Sequence, residues 1–194
     1  MNKKAFVFLP EGFEEAEAIV TVDVLRRGGV DVRTVSLAGC KKVVGSHAIA
    51  TEADITFDEA ADEAADALVL PGGPGAARYY EDTNFMEYIK ISGQNENIVL
   101  AAICAAPGVL GEFGLLDGRR ATCYPGYESK LTGAVVTGAP FETDGNIITG
   151  KSAGCVFEFA FAILAKLAGD EAAENVRTAM AYCRPPTDRH CAVR

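Results

Sequence analysis

The chain has 194 residues, 49% of them hydrophobic and 23% charged, which is enough apolar material to bury a core without cross-links and fits one domain over residues 1–180. Asp and Glu number 27 against 18 Lys and Arg, for a formal net charge of -9. So acidic a surface excludes a broad phosphate grip, and nucleic acid is not expected as a bound partner.

In chain order, Met1-Asn2-Lys3-Lys4 is basic, but the apolar run that follows, Ala5 to Leu9, stops at Pro10-Glu11 and is too short for a secretory signal. It reads instead as a strand covered on both faces. From Glu14 to Arg27, Ala18, Ile19, Val22 and Leu25 recur at helical spacing, Gly28-Gly29 ends the helix, and Val30 to Val35 alternates as a strand. The opening is therefore a βαβ unit. The acidic stretch Asp58 to Asp66 reads as a solvated helical connector.

The pattern recurs with a strand at Ala67 to Leu70 ending in Pro71-Gly72-Gly73, a helix at Asn84 to Ser92, and a buried strand at Ile98 to Ile103. A helix is expected from Pro107 to Phe113, further strands at Ala121 to Cys123, Ala134 to Val136 and Ile147 to Thr149, and an apolar helix at Val156 to Ala168. Such alternation predicts an α/β fold, a mostly parallel sheet with helices on both faces. Residues 181–194 lack apolar periodicity and are expected to form an irregular tail. No run is long and apolar enough to span a bilayer, and a core of this size needs no disulfides. Cys40, Cys104, Cys123, Cys155, Cys183 and Cys191 are accordingly read as thiols of a cytoplasmic protein.

In open α/β sheets, sites form beyond the carboxyl ends of the strands, where three segments stand: Glu11 to Glu17, Gly72 to Gly75, and Cys104. Cys104 falls where a buried strand turns into a helix among small residues, the logic of a nucleophile elbow. The positive end of the next helix would favour thiolate, so a lowered thiol pKa is expected. The spacing alone is equally compatible with a buried, inert cysteine. Gly72-Gly73 offers bare amides for an oxyanion, or simply a tight turn; it matches neither a dinucleotide fingerprint nor a P-loop. Glu14 and Glu17 share a helix face while Glu15 points elsewhere, and any of them can serve as a helix-dipole complement. If Glu17 points inward beside the sulfur, burial would keep a proton on it. His47 and His190 are the two histidines, and without a third ligand at suitable spacing no metal site is read.

Together, Leu9-Pro10-Glu11-Gly12-Phe13-Glu14-Glu15-Ala16-Glu17, Leu70-Pro71-Gly72-Gly73 and Ala101-Ala102-Ile103-Cys104-Ala105-Ala106-Pro107 resemble the ThiJ/PfpI superfamily, in its parkinsonism-associated deglycase branch. The likeness runs in order from about residue 3 to 176 and takes in Phe157-Glu158-Phe159-Ala160. It implies a flavodoxin-like three-layer sandwich, a homodimer, Cys104 as nucleophile and redox-sensitive atom, and Glu17 as its carboxylic-acid partner. Gly73, with Gly72 and Ala105 beside the cysteine, would supply backbone contacts to an oxyanion or substrate. Where many relatives have histidine before proline, this chain has Tyr124-Pro125; a phenol is a poor base at neutral pH, which leaves proton handling to Glu17. His47 stands where some relatives have an anion-facing arginine, and is an auxiliary candidate with Tyr124.

The resemblance implies a cofactor-independent glyoxalase or deglycase acting on a small carbonyl compound or a glycated protein. The competing reading is a non-enzymatic oxidative-stress sensor or chaperone-like protein that uses a Cys104 sulfinate.

Overall fold

The computed structural model describes residues 3–183. Residues 184–194, which hold His190, Cys191 and most of the expected tail, lie outside the described residues. The opening βαβ unit is β1 (Lys4–Leu9), α1 (Glu15–Arg27) and β2 (Asp31–Ser36). After it come β3 (Lys42–Val44), β4 (Ala50–Glu52), β5 (Ile55–Thr56), α2 (Phe57–Ala60) and β6 (Ala67–Leu70). Next are α3 (Thr83–Gly93), β7 (Val99–Ile103), α4 (Pro107–Glu112), β8 (Arg120–Ala121) and β9 (Val135–Val136). The described chain closes with β10 (Phe141–Asp144), β11 (Ile147–Gly150), α5 (Val156–Ala168) and α6 (Asp170–Ala179).

Seven strands form one sheet in the order β10-β11-β7-β6-β1-β2-β5, parallel throughout except for the antiparallel β10 edge. Alternation along β1 sends Val7 and Leu9 to one face and Phe6 and Phe8 to the other. The first face is covered by α1, α5 and α6 through Ala18, Leu25, Phe161 and Val176. The second packs on α2, α3 and α4 through Phe57, Phe85, Ile89 and Leu110. This is the parallel sheet with helices on both faces that the alternating pattern predicts, and the flavodoxin-like three-layer sandwich that the resemblance implies. Among the described residues, no helix is long and apolar enough to cross a membrane.

Several expectations need correction. The segment from 42 to 52 forms a hairpin of two three-residue strands, too short for periodicity to reveal. The strands near residues 121 and 135 pair with each other outside the main sheet. The acidic connector is helical only through Ala60; beyond it, Glu63 reaches Lys4 at 2.6 Å and Asp66 reaches Lys3 at 2.7 Å. Residues 181–183 carry no helix or strand, yet Tyr182 packs on the rings of Phe157 and Phe161 and its hydroxyl donates to Glu158. β10 is a short polar edge strand and α6 a mostly polar helix with just two buried residues, Ala173 and Val176, and neither is expected from the apolar pattern of the sequence.

Candidate active site

The loops after β1, β6 and β7 meet at the carboxyl end of the sheet, the place the topology allots to a site. Their meeting is written in backbone hydrogen bonds: Glu14 N–H donates to Gly72 O at 3.0 Å and Gly75 N–H to Gly12 O at 2.8 Å.

All five residues of β7 are buried, and the chain leaves it through Cys104, whose φ of 66° lies in the left-handed region. For a residue with a Cβ this conformation costs on the order of 1–3 kcal/mol, so the surroundings must hold it. They do so on both sides: Cys104 N–H donates to Gly150 O, and Cys104 O accepts from Tyr124 N–H, each at 2.9 Å. Pro107 then opens α4 with no amide to satisfy.

Gly72 is a glycine because of this elbow. A Cβ there would lie 2.6 Å from Cys104 Cβ and 2.8 Å from Ile103 O. Gly73, at φ 86°, would place a Cβ 2.7 Å from Glu14 N. The two glycines let the β6 loop lie directly against the thiol.

Glu17 sits on the first turn of α1 with no exposed surface. Its Oε2 accepts a hydrogen bond from Gly72 N–H at 2.8 Å. Oε1 is buried without a hydrogen bond of full geometry, while the carboxyl interacts with the Cys104 thiol and the Ala153 amide. Burial raises the Glu17 pKa from 4.5 to about 7, against the opposing pull of the Gly72 amide. The nearby Glu14 carboxylate adds to the rise; Glu14 caps α1 by accepting from Glu17 N–H at 2.7 Å.

The thiol of Cys104 departs from the lowered pKa expected of an elbow cysteine. Burial, and then the charge of Glu17, push it up to about 12, outweighing the amides of Gly73 and Ala105 that face the sulfur. Two acidic groups in one low-dielectric space cannot both ionise, so they titrate as a pair that retains at least one proton through the neutral range.

The predicted site residues thus divide. Cys104, Glu17, Gly73 and Ala105 come together. Gly72 joins them in another capacity, since its N–H is committed to Glu17 and is not free to bind an oxyanion. Tyr124 reaches the elbow through its amide; its side chain is exposed and lies edge-on to Tyr127 at 6.3 Å. His47 belongs to a different cluster. Its amide donates to Glu15 Oε1 at 2.7 Å and its Nδ1 lies 2.7 Å from Glu15 Oε2, which also accepts from Ser46 Oγ at 3.1 Å. Burial works to raise the Glu15 pKa, but these bonds outweigh it and hold it down to about 2. Bonding to Glu15 raises that of His47. Ligand atoms of Glu14, Glu15 and His47 lie within 4.8 Å of one another, and the Glu15–His47 contacts within this group are hydrogen bonds.

Sequence reasoning missed a cleft of about 190 Å³ that begins at Gly73 and Ala105 and extends past Ala77, Tyr80, Tyr127 and Lys130. These residues come from three separate loops and helices. Nothing in their spacing announces a common wall.

A doubly wound sheet, a strained elbow cysteine and a buried carboxyl beside it define a flavodoxin-like protein with a thiol–carboxyl pair at its switch point. The chain belongs to the DJ-1/PfpI family, whose model matches residues 3–166, and within it to the DJ-1 branch. It is 35% identical to Protein dj-1beta of Drosophila melanogaster over 91% of this chain and 95% of that one. It is 33% identical to the glutathione-independent glyoxalase DJR-1.2 of Caenorhabditis elegans, over 88% of this chain and 91% of that protein. Among solved structures, a DJ-1 superfamily protein of Salmonella typhimurium, crystallised as a cysteine-to-alanine mutant, superimposes with a TM-score of 0.88 at 38% identity. It covers 94% of this chain and all of that one.

Proposed function

We propose that the protein is a cysteine-dependent, cofactor-independent glyoxalase of the DJ-1 type, converting a small α-oxoaldehyde and water into a 2-hydroxy acid. The observation that carries this reading is the pairing of the Cys104 thiol with a carboxyl whose pKa of about 7 lies at the operating pH. A nucleophile pushed up to about 12 attacks only if its proton is removed as it reacts, and the Glu17 carboxylate is the base in place to take it. The glyoxalase name of the nematode relative supports the same reaction class.

In this mechanism Cys104 Sγ bonds to the aldehyde carbon, the thiol proton passes to Glu17, and the carbonyl π pair moves onto oxygen. The amides of Gly73 and Ala105 beside the sulfur are placed to receive that oxygen as negative charge develops. Glu17 returns its proton to give the hemithioacetal. Transfer of the hydrogen on that carbon to its neighbour, as a proton through an enediol, yields a 2-hydroxy thioester. Water then hydrolyses the thioester, releasing the hydroxy acid and restoring the thiol. For methylglyoxal the product is lactate, with one water consumed and no net oxidation. The test is methylglyoxal turnover by the wild type beside Cys104→Ser and Glu17→Gln. Lactate is expected from the wild type; equally fast production by Cys104→Ser would overturn the assignment.

The amides facing the sulfur also favour a second reading, in which peroxide oxidises Cys104 to a sulfinate that they and a protonated Glu17 hydrogen-bond. Among the described residues, Cys40 and Cys183 are the more exposed thiols. Mass spectrometry after mild peroxide tests this directly, since oxidation of those cysteines ahead of Cys104 would remove its basis. The homodimer that the resemblance implies and the cytoplasmic setting read from the thiols belong to the same proposal. Exposed Ile19 and Ile49, on α1 and on the hairpin tied to it through Glu15, are apolar surface that a second copy would cover. Light scattering at twice the 20.4 kDa chain mass is the expected result.

A further inference from the structure

The proposed addition to an aldehyde engages only the sulfur, Glu17 and two amides. The cleft that starts at those amides is left without a use, although its volume, about 190 Å³, is several times what the methyl of methylglyoxal fills. It is also smaller than the roughly 300 Å³ at which pockets for drug-sized ligands begin, so it suits a group the size of one ring.

Its walls state what kind of group. Pro74, Ala76, Ala77 and Ala105 give apolar lining, and Tyr80 and Tyr127 add two aromatic rings. Gly108 keeps it open: a Cβ there would lie 3.0 Å from Lys130 Cβ and 3.8 Å from Tyr80 Oη. The one cation among the lining residues, Lys130, is an exposed side chain 3.7 Å from Glu112, at the solvated rim of a lining that is otherwise apolar and aromatic. Tyr80 stays a neutral phenol at all physiological pH values, raised to about 12 by burial and by the same Glu112. An uncharged flat substituent finds ring edges and faces here, where aromatic pairs add about 0.5–1.5 kcal/mol beyond area burial.

Resting on the glyoxalase reading, we propose that this cleft receives the substituent on the carbon next to the one Cys104 attacks, and that it selects α-oxoaldehydes bearing an uncharged aryl group over methylglyoxal. The specificity residues are Ala77 and Tyr127, which meet the substituent and not the reacting atoms.

A pair of alkylating reagents reads the cleft without any need for turnover. Bromoacetone and phenacyl bromide each place a methylene under attack by Cys104 Sγ; the carbon–sulfur bond forms as bromide leaves and the thiol proton is lost. They differ solely in a methyl or phenyl on the adjacent carbonyl, mirroring methylglyoxal and phenylglyoxal. Rates at Cys104 are followed by peptide mass spectrometry and divided by the rates of the same reagents with free glutathione. After this correction the wild type is expected to favour phenacyl bromide about tenfold, the factor that 1.4 kcal/mol of ring contact gives. Ala77→Leu, which fills the cleft from an exposed position, should remove that preference and leave the bromoacetone rate within a factor of about two. Tyr127→Ala should reduce it severalfold. No preference in the wild type, or equal slowing of both reagents in Ala77→Leu, overturns the inference.

Turnover of phenylglyoxal and methylglyoxal on the same samples separates the two proposals. Methylglyoxal turnover with no aryl preference in either assay sinks the cleft alone. An alkylation preference with neither oxoaldehyde turned over sinks the glyoxalase reading and leaves the cleft as a ring-binding subsite.

Discussion

Glu15 and Glu17 stand two residues apart on the first turn of one helix, both nearly removed from solvent, and their acidities move in opposite directions. Glu15 faces the hairpin, where both oxygens are filled by the amide and ring of His47 and the hydroxyl of Ser46, and it is held down to about 2. Glu17 faces the elbow, where the Gly72 amide serves Oε2, the Cys104 thiol and the Ala153 amide lie beside the carboxyl, and burial carries it to about 7. The two differ in depth as well as in partners: Glu17 lies deep among its neighbours, where desolvation dominates, and Glu15 lies near the surface, where the hydrogen bonds delivered to its ionised form dominate.

The largest effect expected from breaking this contrast is at the elbow. Cys104→Ser should lower kcat/KM for an α-oxoaldehyde by on the order of 10³-fold or more, measured as hydroxy-acid release, because the nucleophile of the pair is lost.

Glu17→Gln should cost about 10²-fold in kcat/KM, the lower range for a general base. In the wild type kcat/KM should climb as pH rises through about 7, when the Glu17 carboxylate forms, and that limb should be absent from the variant. Stability should move the other way. Glu17 ionises near 4.5 when unfolded and near 7 when folded, so folding carries no penalty below pH 4.5, a growing one from 4.5 to 7, and the full one above. Glutamine can still accept from Gly72 and never ionises. Urea denaturation at pH 8 should therefore find the variant more stable by about 3 kcal/mol, and equal to the wild type at pH 4.

At the hairpin the signs reverse. Glu15→Ala should destabilise by about 1–3 kcal/mol, since it strands two or three donors at once, and hydrogen exchange should rise first at Ser46 and His47. In the wild type the contribution of Glu15 is complete above pH 4.5 and disappears as pH falls through about 2, visible as an acid limb in thermal melts that Glu15→Ala lacks. Gly72→Ala tests the approach of the two regions: the added methyl would overlap Cys104 and Ile103 and should cost about 1–3 kcal/mol, with activity lost beyond that as the elbow shifts. The smallest effect belongs to Tyr124→His, which introduces the histidine that the resemblance leads one to expect before Pro125. Because this side chain is exposed, stability should change by less than about 0.5 kcal/mol in a thermal melt, with the limb near pH 7 unmoved.

The elements that place the site were legible from periodicity. β1, α1, β6 and β7 are long apolar or amphipathic runs closed by Gly or Pro, and Cys104 follows directly from where β7 must end. The hairpin and β10 were not, because three- and four-residue strands leave no periodic trace, and α6 was not because its amphipathic pattern is carried by a mostly polar helix with two buried residues. Nor could spacing decide between Glu15 and Glu17: it showed them on different faces without saying what each face meets.

By itself the sequence determined the layered α/β architecture and the strand end at which Cys104 turns, because burial and backbone geometry are written locally in residue order. Only the tertiary structure decided that the thiol is held up and not lowered, that Gly72 serves Glu17 in place of an oxyanion, that His47 answers to Glu15, and that Tyr80, Tyr127 and Lys130 wall one cleft. Those outcomes depend on which groups from distant segments are desolvated together. Electrostatics inside a protein is a property of that shared space, not of any one stretch of chain.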